Sequence, residues 1–537
     1  MSDLDLQATC PLTISAALRR SATIAPDVEA IVASDGRLTY QDLETRVADA
    51  RDALAAAGVR KGDHVGLCLG NSAEWVVIFL AIGSMGAVTV PINTRFVAAE
   101  MAYALKQSRV TTLVTCDRFL KIDFIAVLRE VCPGLDSALP HDALPDLQRV
   151  LVIGDDVPSA GENWRELCAS TLVRTKPEDD ADDVLLVQYT SGTTSFPKGV
   201  LLRHRNMLPN AFFSGLRMGL RPGDRFHSAR PFFHVAGTTL SILSCLQHAA
   251  TLVSMDRFEP GEALCLMERE RCTHFSGNDT MALMLLTHPD LPSRHLNLRG
   301  AWLAASPTIV RRVIDELGAR ECVVGYGLSE ASPNVAQSCW WEPEEVRVSA
   351  AMRVQTGIDV RIRTEQGRDA GPDEPGEIQV RGWNVMKGYF DKLKETAAAL
   401  STDGWLSTGD LGALDPSGRL RFLGRAKDIV RVGGENVSPA DVENVLHQNK
   451  LIRQAAVVGV PDERLVEVTA AFIILNDGCA TTPAEIIEWS KREMAGFKVP
   501  RHVWIVEDFE SIGMTASSKI QKKQLAAHAR RLAGIEG

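Results

Sequence analysis

Residues Tyr189 to Val200 read YTSGTTSFPKGV and follow the apolar run VLLVQ. Thr190, Ser191, Thr193 and Thr194 bring hydroxyls, Gly192 and Gly199 leave the backbone open, and Lys198 adds a cation. Hydroxyls, accessible N–H groups and one positive charge together suit phosphate. The order is not that of the common phosphate loop, in which Gly-Lys is followed by Ser or Thr at a helix start. Here Pro197 precedes the lysine, and Gly199 and Val200 follow it. Alone, the string also reads as a Gly-rich surface turn.

Five further strings carry reactive residue types. PFFHVAG places His234 between aromatic and small residues, where a histidine is more often structural. YGLSEAS follows the buried run CVVG and offers the Tyr326 ring, the Ser329 hydroxyl and the Glu330 carboxylate. GWLSTGDLG ends a tight turn on Asp410, which by itself suggests a turn or cap residue. GRAKDIVRVGGENVSPADVE contains Arg425, Lys427, Gly433 and Gly434, and MTASSKIQKKQL contains Lys519. A lysine in so basic a stretch is ordinarily a solvated face.

In this order, and over nearly the whole chain, these strings resemble the adenylate-forming superfamily of acyl-CoA synthetases, peptide-synthetase adenylation domains and beetle luciferases. The resemblance implies roles. Thr190, Ser191, Gly192, Thr193, Thr194 and Lys198 would wrap the β- and γ-phosphates of ATP. Gly325, Tyr326 and Gly327 would bind the nucleotide, Tyr326 by stacking on adenine, and Ser329 would offer its hydroxyl to the α-phosphate. Glu330 would hold Mg²⁺, a hard carboxylate for a hard cation. Asp410 would accept the ribose hydroxyls, with Arg425 beside it. His234 would stand at the mouth of the acid pocket. Lys519 would offset the repulsion between carboxylate and α-phosphate. Lys427 would be the hinge of a small domain that rotates between two half-reactions. Gly433 and Gly434 would line the channel for coenzyme A.

The linker GRAKDIVRVGGENVSP is similar to that of acyl- and aryl-CoA synthetases. The reading is therefore an acid–CoA ligase using ATP, Mg²⁺ and coenzyme A, with three alternatives. They are transfer of the acyl group to a carrier protein, a non-catalytic ATP-binding protein, and the remote case of luciferase-type oxygenation. Several strings depart from the family pattern: SGNDTM, LAASPT, Met352 in AAMRV, Ser518 before Lys519, and Gly513 upstream. The acid-pocket candidates are His234, Val235, Gly237, Gly277, Asn278, Ala304, Ala305, Gly325, Asn334 and Val335. Most are small or apolar and none is Lys or Arg, which favours an uncharged-tail, hydrophobic monocarboxylic acid.

The elements that must position these residues follow from pattern. Helical and strand segments alternate through the first two-thirds of the chain, as in DHVGLCLG, SAEWVVIFLAIGSMG, AVTVPIN, TTLVTC, RVLVIG, DDVLLVQYT, ATLVSM and LRGAWLAAS. That alternation predicts an α/β fold with largely parallel sheets. From about Val360 the strands become short and Gly-punctuated, a small β-barrel-like region with a hairpin at DPSG. After GRAKD a small, mobile α+β domain is expected, giving domains 1–424 and 425–537.

At 537 residues more than one core is required. Lys+Arg of 58 against Asp+Glu of 68 gives net −10, which argues against a nucleic-acid partner. The start lacks a basic n-region followed by an apolar h-region, and the end carries no peroxisomal or prenylation signal. Trp75–Val90 is broken by glycines and closed by Pro91, short of the roughly 20 residues a span needs. The 11 cysteines include no C-x-x-C pair, consistent with reduced core thiols and a cytoplasmic location. Oligomeric state stays open, a homodimer included.

Overall fold

The computed structural model describes residues 3–190, 197–433, 435–515 and 520–535. Local sequence rules account for the helices that frame it. Helix Tyr40–Ala56 starts at a capping box, in which Thr39 and Asp42 exchange side-chain and backbone hydrogen bonds. Helix Ala73–Ser84 is capped by Ser72 and is buried almost all round, as its uniformly apolar run dictates. It leads into the buried strand Val88–Pro91. Among the described residues no helix is long and apolar enough to cross a membrane.

Among the described residues two large sheets carry the body of the molecule, one of 13 strands and one of 8. The first has a parallel block in which Thr251–Ser254, Arg225–Ser228, His274–Asn278, Gly300–Ala304 and Val323–Gly327 lie side by side. Ser228 stands opposite Ser276, Ser276 opposite Trp302, and Trp302 opposite Val323. These strands therefore end together, and their last residues share one rim. Beyond Val323–Gly327 the partners turn antiparallel, beginning with Asn334–Gln337. The short Gly-punctuated strands then extend the same sheet, including the hairpin Leu406–Leu414 and Arg419–Arg425 around DPSG.

In the second sheet, Val184–Tyr189 pairs in parallel with Val88–Pro91 and antiparallel with Gly199–Arg203. Gly199–Arg203 in turn pairs with Gly388–Tyr389, which sets Tyr389 opposite Val200. The chain leaves the large sheet at Arg425, makes a short helical turn at Ala426–Asp428, and enters a third sheet of 5 strands at Val430. That sheet, the helices Pro439–Leu446 and Pro483–Glu493, and the last helix Lys522–Leu532 form the expected α+β unit with its own apolar clusters.

Candidate active site

The rim of the parallel block is where open α/β sheets bind ligands, at the carboxyl ends of the strands. Asn278, Ala304 and Gly327 close three of these strands. Tyr326, one residue from the end of its strand, is buried, and its hydroxyl donates to Asp410 Oδ2 at 2.8 Å. Asp410 comes from the hairpin, where it stands opposite Arg425 in register, and Arg425 Nε reaches its Oδ1 at 3.4 Å. Burial, and next the Asp410 carboxylate, push the Tyr326 phenol far above its ordinary range, so it remains the donor. Phe422 stacks on the Tyr326 ring, centroids 5.1 Å apart and planes 22° apart, while staying 41% exposed.

A second group gathers around Glu330, four residues after Tyr326. Glu330 lies in the short helical turn Ser329–Ala331 and accepts from the Tyr389 hydroxyl at 2.9 Å. Met386 N donates to Glu330 O at 2.9 Å, fixing the segment that carries Tyr389 against this turn. Lys198 Nζ lies over the Tyr389 ring, 4.8 Å from its centroid. Thr190 N donates to Lys198 O at 3.1 Å. Burial and Glu330 push the Tyr389 phenol far up as well. Glu330 is half-buried, with one phenol donor on it. Such a lone carboxylate suits Mg²⁺, which keeps waters and takes one or two carboxylates together with phosphate oxygens. Among the described residues no three His, Cys, Asp or Glu side chains form a ready-made metal cage.

On the acid side, His234 is exposed and accepts from Ala236 N through Nδ1 at 3.2 Å, capping the turn that holds the buried Val235 and Gly237. Gly277 and Gly325 lie in strands that flank Gly300–Ala304 on either side. A Cβ at Gly325 would stand 2.4 Å from Trp302 Cζ2, so only glycine lets the indole lie across its strand. Ala304 is exposed and Ala305 half-buried. Asn278 caps helix Asp279–Leu286 by accepting from Met281 N at 2.9 Å. Asn334 and Val335 are placed differently. Both are buried in a strand whose polar neighbours are committed to one another: Asn210 Nδ2 donates to Asn334 O at 2.8 Å, and Ser214 Oγ to Gln337 Oε1 at 2.8 Å.

Ser191, Gly192, Thr193, Thr194, Gly434, Ser518 and Lys519 lie outside the described residues. Gly433, with φ +59°, makes the turn between Val430–Val432 and Glu435–Val437. Lys427 is exposed in the Ala426–Asp428 turn, where burial and then Arg425 hold its ammonium below its usual range. Sequence reasoning missed Phe422, Tyr389 and Arg230. The first two sit in unremarkable strand patterns and gain meaning only by pairing. Arg230 had a signal, a lone cation immediately before PFFHVAG in a mostly apolar stretch.

The AMP-binding enzyme family model matches residues 18–390, and that of the AMP-binding enzyme C-terminal domain matches residues 441–519. The chain is 37% identical over 526 residues to a methyl-dioxo-octahydro-indenyl propanoyl:CoA ligase of Mycobacterium tuberculosis, covering 96% of this chain and 98% of that one. It is 33% identical over 538 residues to a mitochondrial medium-chain acyl-CoA ligase of Bos taurus, covering 96% and 87%. The anthranilate CoA ligase AuaEII, solved in complex with anthranoyl-AMP, shares the fold with a TM-score of 0.87 at 24% identity, over 98% of this chain and 99% of that one.

Proposed function

This chain belongs to the AMP-binding enzyme family, and from that premise we propose that it ligates a hydrophobic carboxylic acid to coenzyme A through an acyl-adenylate. A carboxylate oxygen attacks the α-phosphorus of ATP and pyrophosphate leaves. The thiol of coenzyme A then attacks the acyl carbon and AMP leaves. One observation carries the reading. Tyr326, Asp410 and Arg425 form a linked set, and Glu330, Tyr389 and Lys198 a second, set four residues or fewer along the chain from the first at Tyr326–Glu330.

Tyr326 and the exposed Phe422 offer a stacking surface for adenine. Asp410, with Arg425 beside it, accepts from the ribose hydroxyls. Lys198 and the loop hydroxyls of Thr190, Ser191, Thr193 and Thr194 hold the departing pyrophosphate. Glu330 binds Mg²⁺, which neutralises phosphate charge when bound. Lys519 supplies the cation that offsets the approach of two anions. Residues 1–424 and 425–537 act as two domains hinged at Lys427, with Gly433 and Gly434 along the thiol's path. The names of the two relatives, a medium-chain acyl-CoA ligase and a propanoyl:CoA ligase with a bicyclic tail, support a hydrophobic acid. The cytoplasm is the location this reading favours.

Pyrophosphate release from Mg·ATP, measured across straight-chain, aryl and polycyclic acids with and without coenzyme A, tests the proposal. Acid-dependent release, with AMP and acyl-CoA accumulating once coenzyme A is added, is expected. Adenylate that forms and never reaches coenzyme A would redirect the acyl group to a carrier protein. No acid-dependent release from the whole panel would overturn the ligase reading.

A further inference from the structure

Arg230 lies two residues past the end of strand Arg225–Ser228. Its Nε donates to Ser276 Oγ at 2.7 Å and its Nη2 to Gly277 O at 2.6 Å. Its guanidinium carbon lies over the Trp302 ring, 4.6 Å from the centroid. Asn71 grips the backbone on either side, donating to Arg230 O at 3.0 Å and accepting from Phe232 N at 2.8 Å. The guanidinium is enclosed, and burial alone lowers it to about 10, so it is still charged at neutral pH. Among the described residues no carboxylate pairs with it and no protein acceptor meets Nη1. The residue as a whole is only half-buried, so the enclosure has an opening.

A buried cation without a counter-charge is costly and is normally paired. Here it lies among the residues that border the acid. Gly277 gives it a carbonyl, and Trp302, on which it rests, is the side chain that the bare Gly325 accommodates. The fork is also half spent. With Nε and one Nη2 hydrogen committed to Ser276 and Gly277, the edge left is Nη1 with the second Nη2 hydrogen, where a neutral oxygen takes a charge-assisted bond without the desolvation that burying a second carboxylate would cost.

We propose that Arg230 is a specificity-determining residue that selects acids carrying a neutral oxygen acceptor, a ketone above all, on an otherwise apolar body. The inference rests on the ligase reading and narrows its substrate class. A plain hydrocarbon tail would bury Nη1 unpaired, and sites with a committed polar group reject the analogue that lacks its partner.

The test uses the full-length enzyme with matched acids of equal size: an alkyl or alicyclic acid, its oxo counterpart, and the corresponding dioic acid. Wild type is expected to favour the oxo acid in kcat/KM by about tenfold or more over the plain acid. Arg230→Met is expected to erase that preference through KM for the oxo acid, leaving KM for ATP within about twofold. Because the ratio is read on one protein preparation, reduced folding of the variant cancels. Should the variant not fold at all, the wild-type ratio still decides. Equal use of plain and oxo acids by wild type, preference for the dioic acid, or a preference that survives in Arg230→Met would each overturn the proposal. Turnover of plain acids without discrimination would sink it while leaving the ligase reading intact. No turnover of any acid would remove the reading on which it rests.

Discussion

The end of the site proposed for the nucleotide and the end proposed for the acid are built on opposite plans. At the nucleotide end each charge meets a partner from another segment: Asp410 takes Tyr326 and Arg425, and Glu330 takes Tyr389, over which Lys198 lies. At the acid end the walls are missing side chains, Gly277 and Gly325, with one enclosed cation that no carboxylate faces among the described residues. A preassembled network suits a ligand that is always the same, because its groups need no rearrangement when it arrives. A cavity with one unpaired donor suits a ligand that must be chosen, because the wrong one leaves the donor unpaired.

The largest expected effect comes from breaking the network at its centre. Asp410→Asn keeps the shape and still accepts from Tyr326, yet it leaves Arg425 without its charge partner. We expect kcat/KM for ATP to fall by about 100-fold, and by the same factor whichever acid is used, since charge-assisted bonds are the strong ones. Steady-state kinetics with two acids of different shape checks this. A loss that depends on the acid would mean that the two ends are not separable.

The acid end is broken more gently through its glycine. Gly325→Val would set a side chain against Trp302 and shift the indole on which Arg230 rests. Overpacking of this kind costs about 1–3 kcal/mol of stability. KM for the acid is expected to rise several times more than KM for ATP. Denaturant unfolding and the two KM values measure both consequences, and an equal rise in the two KM values would contradict the division.

How far this was legible in the sequence differs between the two ends for the same reason. The nucleotide network is written in side chains that stand out in short strings, so residue type and order alone single out Tyr326, Glu330, Asp410 and Arg425. The strands under them are equally legible, because buried parallel strands read as apolar runs such as VLLVQY and LRGAWLAA. What no string shows is partnership across the chain. Tyr389 meets Glu330 only because Gly388–Tyr389 is zipped to Gly199–Arg203. Asn334, a candidate for the acid pocket by its place in the sequence, lies in a strand whose polar groups bond to Asn210 and Ser214 of a distant helix. The acid end is written in absences, and a glycine is silent about what its missing side chain admits. Arg230 therefore passes as one charge in an apolar stretch.

The seam beside the acid end gives the smallest expected effect and the most specific one. Asp279, next to Asn278, accepts from Ser306 N at 2.8 Å. The C-terminal unit closes over this corner. Gln454 Nε2 donates to Thr280 Oγ1 at 3.2 Å, and Thr308 Oγ1 donates to Asn444 Oδ1 at 2.9 Å. Burial raises the Asp279 carboxyl to about 6, with Glu443 adding to the rise while Ser306 and Lys522 oppose it. In the unfolded chain an Asp titrates near 3.9. Between roughly pH 4 and 6 the native state thus holds the proton that the unfolded state has released, and stability falls as pH rises through that window. Above it the contribution is flat. Its size is about 3 kcal/mol, from about two pK units at about 1.4 kcal/mol each. Asp279→Asn removes it, so the wild-type-minus-variant difference in unfolding free energy should decline from about pH 4 to about pH 6 and then level. Measuring the difference cancels the many surface carboxylates that titrate in the opposite sense. A difference that stays constant across the window would mean that Asp279 is not enclosed, and that the acid end remains open to water on the side where the C-terminal unit meets it.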